Sequence, residues 1–167
     1  MIINRKLMFF IGMIIIFVIL LVSYNLQKEK SIKLKDDLQA KEDQKARIQL
    51  DDNELDLLAR AVHAEAKGEP YEGQVAVAAV ILNRVAHPEF PNTIAGVLYE
   101  PLAFQIVANG TINQPADQLA IQAATEAING VDPTNGALYF FNPAKTSNQW
   151  IRSRPVVKTI GKHVFAL

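Results

Sequence analysis

The segment Gln74–Ala86 (QVAVAAVILNRVA) constrains the fold most, because it is apolar on almost every side. Within it, Asn83 and Arg84 are the polar exceptions, and His87–Pro88 ends it. A helix that is hydrophobic all round belongs in the interior of a domain, where other elements cover each face. The sequence therefore predicts a central buried helix and a mainly helical domain around it.

The preceding segment, Asp51–Lys67 (DDNELDLLARAVHAEAK), has the spacing of a helix with one broad apolar face, and Gly68 and Pro70 end it. Glu65 falls within that apolar face. An unpaired carboxylate buried there is costly, so the group tends to keep its proton near neutral pH, as a general acid must. A structural glutamate, paired with a buried arginine or with backbone amides, is the alternative that the helix alone leaves open.

The rest of the domain is predicted to contain shorter elements. Helices are expected over Thr93–Tyr99 and Pro115–Asn129, and Phe104–Thr111 reads as a short strand or loop that ends in an Asn-Gly turn. Three strands are predicted near the C-terminus: Ala137–Asn142, Val156–Thr159 and His163–Ala166. The fold class is therefore α+β, mainly helical, with a small β-sheet.

An apolar segment near the N-terminus predicts a transmembrane helix. Leu7–Val22 contains no charged residue, and with Ser23 and Tyr24 it approaches the roughly 20 residues that cross a bilayer core. Arg5 and Lys6 precede it, which places the N-terminus in the cytoplasm and the remainder on the outer face of the membrane. A cleaved signal peptide is the alternative, but the run is long and no A-x-A-like cleavage site follows.

The chain is thus predicted to have four parts. Residues 1–6 form a cytoplasmic N-terminus and residues 7–24 a transmembrane anchor. Residues 25–50 form a charged stalk or linker, because both signs of charge are dense there and large apolar residues are few. Residues 51–167 form the globular domain.

Composition excludes several classes of function. The 17 basic and 17 acidic residues balance, so no basic excess indicates nucleic acid as a partner. The absence of cysteine excludes thiolate metal sites and a cysteine nucleophile. His63, His87 and His163 have no metal-ligand spacing, and no nucleophile-elbow serine or phosphate loop is present. Neither a metal nor a cofactor is predicted.

Carboxylates remain as the candidates for chemistry. Ordinary glycosidases use two, one as acid and one as base or nucleophile. Possible partners for Glu65 are Glu69, Glu72, Glu126 and Asp132, but no sequence context singles one of them out. A single helix-borne acid suits a glycan cleavage in which the sugar's own hydroxyl closes a ring and no activated water is needed.

The C-terminal third is rich in side chains that bind sugars: Tyr139, Phe140, Phe141, Asn142, Gln149 and Trp150. Aromatic faces stack on sugar rings, and amides hydrogen-bond to hydroxyls. The alternative is structural, because alternate residues of a strand must face inward and so Phe140 or Phe141 belongs to the core. Trp150, beside polar residues, is the better surface candidate.

Together these residues resemble the catalytic domain of the bacterial cell-wall hydrolases that include the spore cortex-lytic enzymes. The resemblance extends from about Leu57 to Phe165 and leaves the anchor and stalk outside. Four segments carry it: Ala59–Val85 (ARAVHAEAKGEPYEGQVAVAAVILNRV), Ala103–Gly110 (AFQIVANG), Gly136–Ile151 (GALYFFNPAKTSNQWI) and Arg154–Ala166 (RPVVKTIGKHVFA).

The resemblance implies a lysozyme-like lytic transglycosylase fold and cleavage of MurNAc–GlcNAc glycan strands to leave 1,6-anhydro ends. It assigns the catalytic role to Glu65, which stands in the A-E-A-x-G-E motif of this family. It also implies that the glycan cleft is lined by Gln105, Tyr139, Asn142 and Trp150. His163 belongs to the I-G-x-H-x-F ending, where it is either structural or near the site.

The sequence thus predicts a membrane-anchored peptidoglycan lytic transglycosylase, with the spore cortex as a candidate substrate. Its partners are glycan strands and, through the N-terminal helix, the membrane. Any regulatory protein partner is unknown. Three alternatives stay open: a non-catalytic peptidoglycan-binding or scaffold protein, a muramidase or glucosaminidase with an unrecognised second carboxylate, and a metal-dependent amidase.

Overall fold

The computed structural model describes residue 13, residues 18–36 and residues 52–167. Contacts divide the chain into two units, Met1–Gln44 and Lys45–Leu167. In the first unit, residues 18–36 form helix α1 and are exposed throughout. None of the helices within the described ranges is long and apolar enough to span a membrane. Much of the anchor expected over residues 7–24 lies outside those ranges, so it stays a prediction.

The second unit contains six further helices, one 3₁₀ turn and three strands in the part that the structure describes. In chain order they are α2 (Asp52–Ala66), α3 (Tyr71–Ala86), α4 (Ile94–Leu98), α5 (Gln105–Ala108), the 3₁₀ turn (Thr111–Asn113), α6 (Gln118–Ile128), β1 (Tyr139–Phe141), α7 (Gln149–Arg152), β2 (Val156–Ile160) and β3 (His163–Ala166).

Helix α3 is the central element, as its sequence predicts. Every residue from Gly73 to Leu82 is buried, because α2 and α6 pack against it and against each other. These contacts are made largely through alanine, whose small side chain lets helices approach closely. Pro70 stands at the N-cap position of α3, so the helix begins at Tyr71, slightly before the predicted start.

The three strands form one antiparallel sheet in the order β1–β3–β2. Phe140 of β1 is opposite Phe165 of β3, and Tyr139 is opposite Ala166. Phe165 is fully buried and Phe140 packs against the core, so this face of the sheet covers the helices. The predicted combination of a mainly helical domain with a small sheet is therefore confirmed.

Phe104–Thr111 corrects one sequence prediction. This segment contains neither a strand nor a hairpin turn: it forms α5 and leads into the 3₁₀ turn. Asn109 caps α5 and Gly110 takes a left-handed conformation with φ of +77°, so the Asn-Gly pair ends a helix. The apolar run is too short for its periodicity to separate a strand from a helical turn.

Candidate active site

Glu65 lies in the last turn of α2, and its carboxyl group has no hydrogen bond or ion pair to any residue that the structure describes. The residue is half-buried. Burial raises the pKa of the Glu65 carboxyl above its ordinary value, and the positive charge of Lys145 only partly opposes this effect. The structure therefore favours the unpaired acid over the structural glutamate that the sequence left open.

The chain turns sharply just after Glu65. The helix ends at Ala66, whose carbonyl accepts a hydrogen bond from the Glu69 amide at 2.9 Å. Gly68 has φ of +87°, a left-handed conformation that favours glycine. This turn removes Glu69 from the helical position one turn beyond Glu65, so the two carboxylates do not share a helix face.

Glu69 has a different environment, although its side chain is only 9% exposed. Its Oε2 accepts a hydrogen bond from the backbone amide of Lys162 at 2.8 Å, in the turn between β2 and β3. The Lys162 ammonium lies 4.0 Å from Oε1. At Gly161, a Cβ atom would lie 2.2 Å from Glu69 Oε2 and 2.7 Å from Pro70 Cδ, so a glycine is required for this approach. Glu69 thus ties the β2–β3 turn to the end of α2.

The other carboxylates considered as partners of Glu65 are also committed to structural contacts. Glu72 forms an ion pair with Lys158 at 2.8 Å. Burial and the neighbouring Glu126 carboxylate raise the pKa of the Tyr71 hydroxyl, so Glu126 lies beside that group. Each of these acids therefore has a partner of its own.

Asp132 likewise organises the turn before β1. It accepts hydrogen bonds from Asn83, from the amide and hydroxyl of Thr134, and from the Gly136 amide. Burial alone would raise the pKa of Asp132, but these hydrogen bonds together hold it below its ordinary value. A carboxylate with so many donors serves as a structural centre for the turn.

His163 is buried against Phe140 and Phe165, with ring centroids 5.3 and 6.3 Å away. Its Nδ1 is buried and has no hydrogen-bond partner among the residues that the structure describes. Burial lowers the pKa of His163, the charge of Glu69 opposes this, and Lys145 and Lys162 reinforce it. His163 therefore belongs to the core beneath the sheet, beside the Glu69 tie.

Two of the predicted cleft residues come together. The rings of Tyr139 and Trp150 pack edge to face at 5.2 Å, and Trp150 is 54% exposed. The guanidinium carbon of Arg154 lies 4.7 Å from the Tyr139 ring and 4.4 Å from the Trp150 ring. Sequence reasoning did not single out Arg154, because an isolated arginine after a loop carries no local signal.

The other two predicted cleft residues are placed separately. Gln105 is the exposed first residue of α5. Asn142 shapes the turn after β1: its side-chain oxygen accepts from the Ala144 amide at 2.9 Å, and its carbonyl accepts from the Lys145 amide at 3.0 Å. Asn142 thereby fixes the backbone of Lys145, a residue near Glu65 that the sequence gave no reason to notice.

A cavity of about 520 Å³ opens on another side of α2, and Glu65 does not line it. Its wall comes from α2 and the segment before α6: His63, Ala64, Lys67, Thr111, Gln114, Pro115, Ala116 and Asp117. His63 Nδ1 accepts a hydrogen bond from the Asp117 amide at 3.2 Å, which closes one end. Among the described residues, no three histidine or acidic side chains come together as a metal site.

Known proteins resemble this chain closely over the second unit. The spore cortex-lytic enzyme of Bacillus subtilis is 57% identical over 113 residues, which cover 68% of this chain and 37% of that protein. The chain thus spans little more than a third of this relative's length. The crystal structure of the catalytic domain of Bacillus cereus SleB matches with a TM-score of 0.69 and 52% identity, over 72% of this chain and 94% of that domain.

A second solved structure is the catalytic domain of the germination-specific lytic transglycosylase SleB from Bacillus anthracis. It matches with a TM-score of 0.69 and 51% identity, over 72% of this chain and 98% of that domain. A family model described as Cell Wall Hydrolase matches residues 68–166, and so begins just after Glu65. By this match and these identities, the chain belongs to the Cell Wall Hydrolase family.

Proposed function

We propose that this chain is a peptidoglycan-cleaving lytic transglycosylase in which Glu65 is the single catalytic acid and base. The observation that carries the proposal is the state of Glu65: a half-buried carboxyl group with a raised pKa and no hydrogen-bond partner among the described residues. Such a group holds a proton that it can give to a leaving oxygen.

The reaction follows from a single acid without a second carboxylate. Glu65 protonates the glycosidic oxygen as the bond from that oxygen to the anomeric carbon of MurNAc breaks. The C6 hydroxyl of the same MurNAc then forms a bond to the anomeric carbon and gives its proton to the Glu65 carboxylate. One glycosidic bond is lost, one 1,6-anhydro bond is gained, no water is consumed, and the acid is restored.

Two further observations support this mode of cleavage. Glu69, Glu72, Glu126 and Asp132, the carboxylates that a hydrolytic mechanism would draw on, have structural partners. The Bacillus anthracis domain that this chain resembles is described as a germination-specific lytic transglycosylase. The Bacillus subtilis relative is a spore cortex-lytic enzyme, so we infer cortex peptidoglycan as the substrate.

Product analysis in H₂¹⁸O tests the proposal directly. Wild-type protein should release muropeptides with 1,6-anhydro ends and no ¹⁸O, as measured by mass spectrometry. Reducing ends labelled with ¹⁸O would instead indicate hydrolysis and a second carboxylate. Binding to sacculi without release of any fragment would indicate a non-catalytic scaffold, and loss of activity with EDTA would indicate a metal-dependent amidase.

We also propose that residues 7–24 anchor the protein in a membrane with the second unit on the outer face. The support is the uncharged run of Leu7–Val22 and the preceding Arg5 and Lys6. Full-length protein should remain with membranes through a high-salt wash, whereas a variant lacking residues 1–24 should be released. Release of the full-length protein by salt alone would contradict the anchor.

A further inference from the structure

The Arg154 cluster, defined as Arg154 with Tyr139 and Trp150, has features that a purely structural role does not explain. The guanidinium carbon of Arg154 lies 4.7 and 4.4 Å from the centroids of the two rings, which are perpendicular to each other and 5.2 Å apart. One of its nitrogens donates a hydrogen bond to the Tyr139 hydroxyl at 3.1 Å. Contact with both rings and this hydrogen bond together restrict the orientation of the guanidinium and hence the direction of its remaining donors.

Those remaining donors have no acceptor within the described part of the chain. Arginine carries five N–H donors, and the terminal nitrogens of Arg154 make one side-chain hydrogen bond to the described residues, the one to Tyr139. Its Nε is buried and has no hydrogen-bond partner among those residues. The three other described arginines use their donors internally. Arg60 bonds to Asp56, Arg84 to the Leu138 carbonyl, and Arg152 to the Thr146 and Pro143 carbonyls. Of these four arginines, Arg154 is the one whose guanidinium bonds to neither a carboxylate nor a carbonyl group of the described residues.

The cluster is accessible to a ligand. Trp150 is 54% exposed, so much of its indole is in contact with solvent. Tyr139 also contacts Arg84 in the last turn of α3, with the Arg84 guanidinium carbon 5.4 Å from the Tyr139 ring centroid. The cluster thus connects the buried end of α3 to the surface.

A planar cation packed against two aromatic rings suits a sugar that carries a carboxylate. The sugar ring stacks on the exposed indole face, and the carboxylate accepts charge-assisted hydrogen bonds from the guanidinium fork. In peptidoglycan, such a carboxylate is supplied by the lactyl group of muramic acid where the stem peptide is absent, or by the stem peptide itself. A muramic lactam supplies neither.

We propose that Arg154, Tyr139 and Trp150 form a subsite that binds carboxylate-bearing muramic residues. The proposal rests on the proposed function, because it takes peptidoglycan as the ligand. Its consequence is that a glycan strand with free carboxylates binds this domain more tightly than the same strand without them.

The test measures binding rather than turnover, so that it stands apart from the cleavage mechanism. Full-length E65Q and E65Q/R154Q proteins are titrated with three soluble glycans: one with free lactyl carboxylates after removal of stem peptides, one with stem peptides intact, and one with all carboxylates converted to methylamides. For the carboxylated glycan that uses this subsite, R154Q should weaken binding by about 10- to 100-fold. Binding of the methylamide glycan should not change.

The pattern of losses identifies the source of the carboxylate. A loss confined to the peptide-free glycan assigns it to the lactyl group, and a loss confined to the peptide-bearing glycan assigns it to the stem peptide. An equal loss for all three glycans, or no loss for any, overturns the proposal. K158Q is the matched control, since it removes one exposed charge from the Glu72 ion pair and should leave all three affinities unchanged.

Failure of the subsite is distinguishable from failure of the proposed function. If Arg154 has no effect on binding but wild-type protein still releases anhydro products, the subsite is wrong and the function stands. If no glycan is cleaved but R154Q selectively weakens binding, the subsite proposal holds and the protein binds glycan without cleaving it. R154K keeps the charge but loses the planar fork, so it should recover only part of the affinity.

Discussion

Glu65 and Glu69 stand four positions apart, but the two regions that contain them surround a carboxylate in opposite ways. At the end of α2, the Glu65 carboxyl is half-buried and has no hydrogen-bond partner in the described part of the chain. At the β2–β3 turn, the Glu69 carboxylate accepts a hydrogen bond from the Lys162 amide and lies near the Lys162 ammonium. Burial without a partner favours a reactive acid, whereas burial with donors makes a structural tie.

The difference depends on where the helix stops. Glu69 would have followed Glu65 on the same face if α2 had continued by one turn. Gly68 in its left-handed conformation ends the helix and directs Glu69 toward Gly161 and Lys162. Two acids in one short motif can therefore have separate functions, because a single turn separates their environments.

Replacing each acid in turn with glutamine is the most direct test of whether Glu65 and Glu69 have different roles. E65Q should lower the rate of glycan cleavage by about 10²- to 10⁴-fold, because glutamine has no proton to transfer. E69Q keeps an acceptor for the Lys162 amide and should retain most of the activity. Release of muropeptides from purified sacculi, at equal folded concentration, measures both variants. Equal losses would mean that the two acids act together, as in an ordinary glycosidase.

Substitution of Gly161 should have the next largest effect, which is a loss of stability. G161A places a methyl group 2.2 Å from Glu69 Oε2 and 2.7 Å from Pro70 Cδ, in a backbone with φ of +57°. The crowding should lower the free energy of unfolding by about 2–4 kcal/mol. Denaturant titration measures it, and G130A is the control for a left-handed glycine with no neighbour within 4 Å. Equal losses in both variants would show that backbone strain alone is responsible.

Glu69 itself should give a smaller loss of stability. E69Q replaces a charge-assisted hydrogen bond to the Lys162 amide with a neutral one and removes the nearby ammonium's partner. We expect a decrease of about 1 kcal/mol in the free energy of unfolding. E72Q, which removes the exposed partner of Lys158, should change stability by less. A larger loss for E72Q than for E69Q would contradict the importance of the tie.

The pH dependence of stability should be the most subtle difference. The pKa of Glu65 is raised in the folded protein, so its contribution is fully present below the ordinary value of 4.5 and is lost as the pH rises through the raised pKa. E65Q should therefore gain stability relative to wild type as the pH rises from 4.5 through the raised pKa, and the difference should level off at higher pH. Thermal unfolding at a series of pH values measures the difference, and a constant offset would contradict it.

His163 should have the opposite effect on the pH dependence of stability in the same experiment. Burial lowers its pKa from 6.5, so its contribution is fully present above 6.5 and is lost as the pH falls through the lowered pKa. H163Q should lose less stability than wild type on acidification. The two variants together separate the titration of Glu65 from that of the core histidine.

Periodicity was enough to find the longer helices and the unusual acid. The apolar pattern of Gln74–Ala86 predicted the buried α3, and the same reasoning placed Glu65 on the inner face of α2. Local signals have less to say about contacts between distant residues. The hydrogen bond from Lys162 to Glu69 joins positions 93 apart, and Lys145 acts on Glu65 from another loop. Neither partner has a sequence pattern that would have identified it.

The remaining differences have similar causes. The short strand or loop predicted for Phe104–Thr111 was wrong, because a short apolar run fits a strand and a helical turn equally well. Helix α7, Gln149–Arg152, is a single turn that Asn148 caps, and its polar sequence has no periodicity to reveal it. Of the predicted cleft residues, Tyr139 and Trp150 pack together, and the roles of all four residues in binding stay predictions.

The long span of the Glu69 tie also has a consequence for how the domain folds. Contacts between residues so far apart close a large loop, whereas α2 and α3 are joined by a short turn and can pair early. We therefore expect the tie to be absent from the folding transition state. E69Q should then accelerate unfolding and leave the refolding rate nearly unchanged, so the tie chiefly determines how long the domain persists once it is folded.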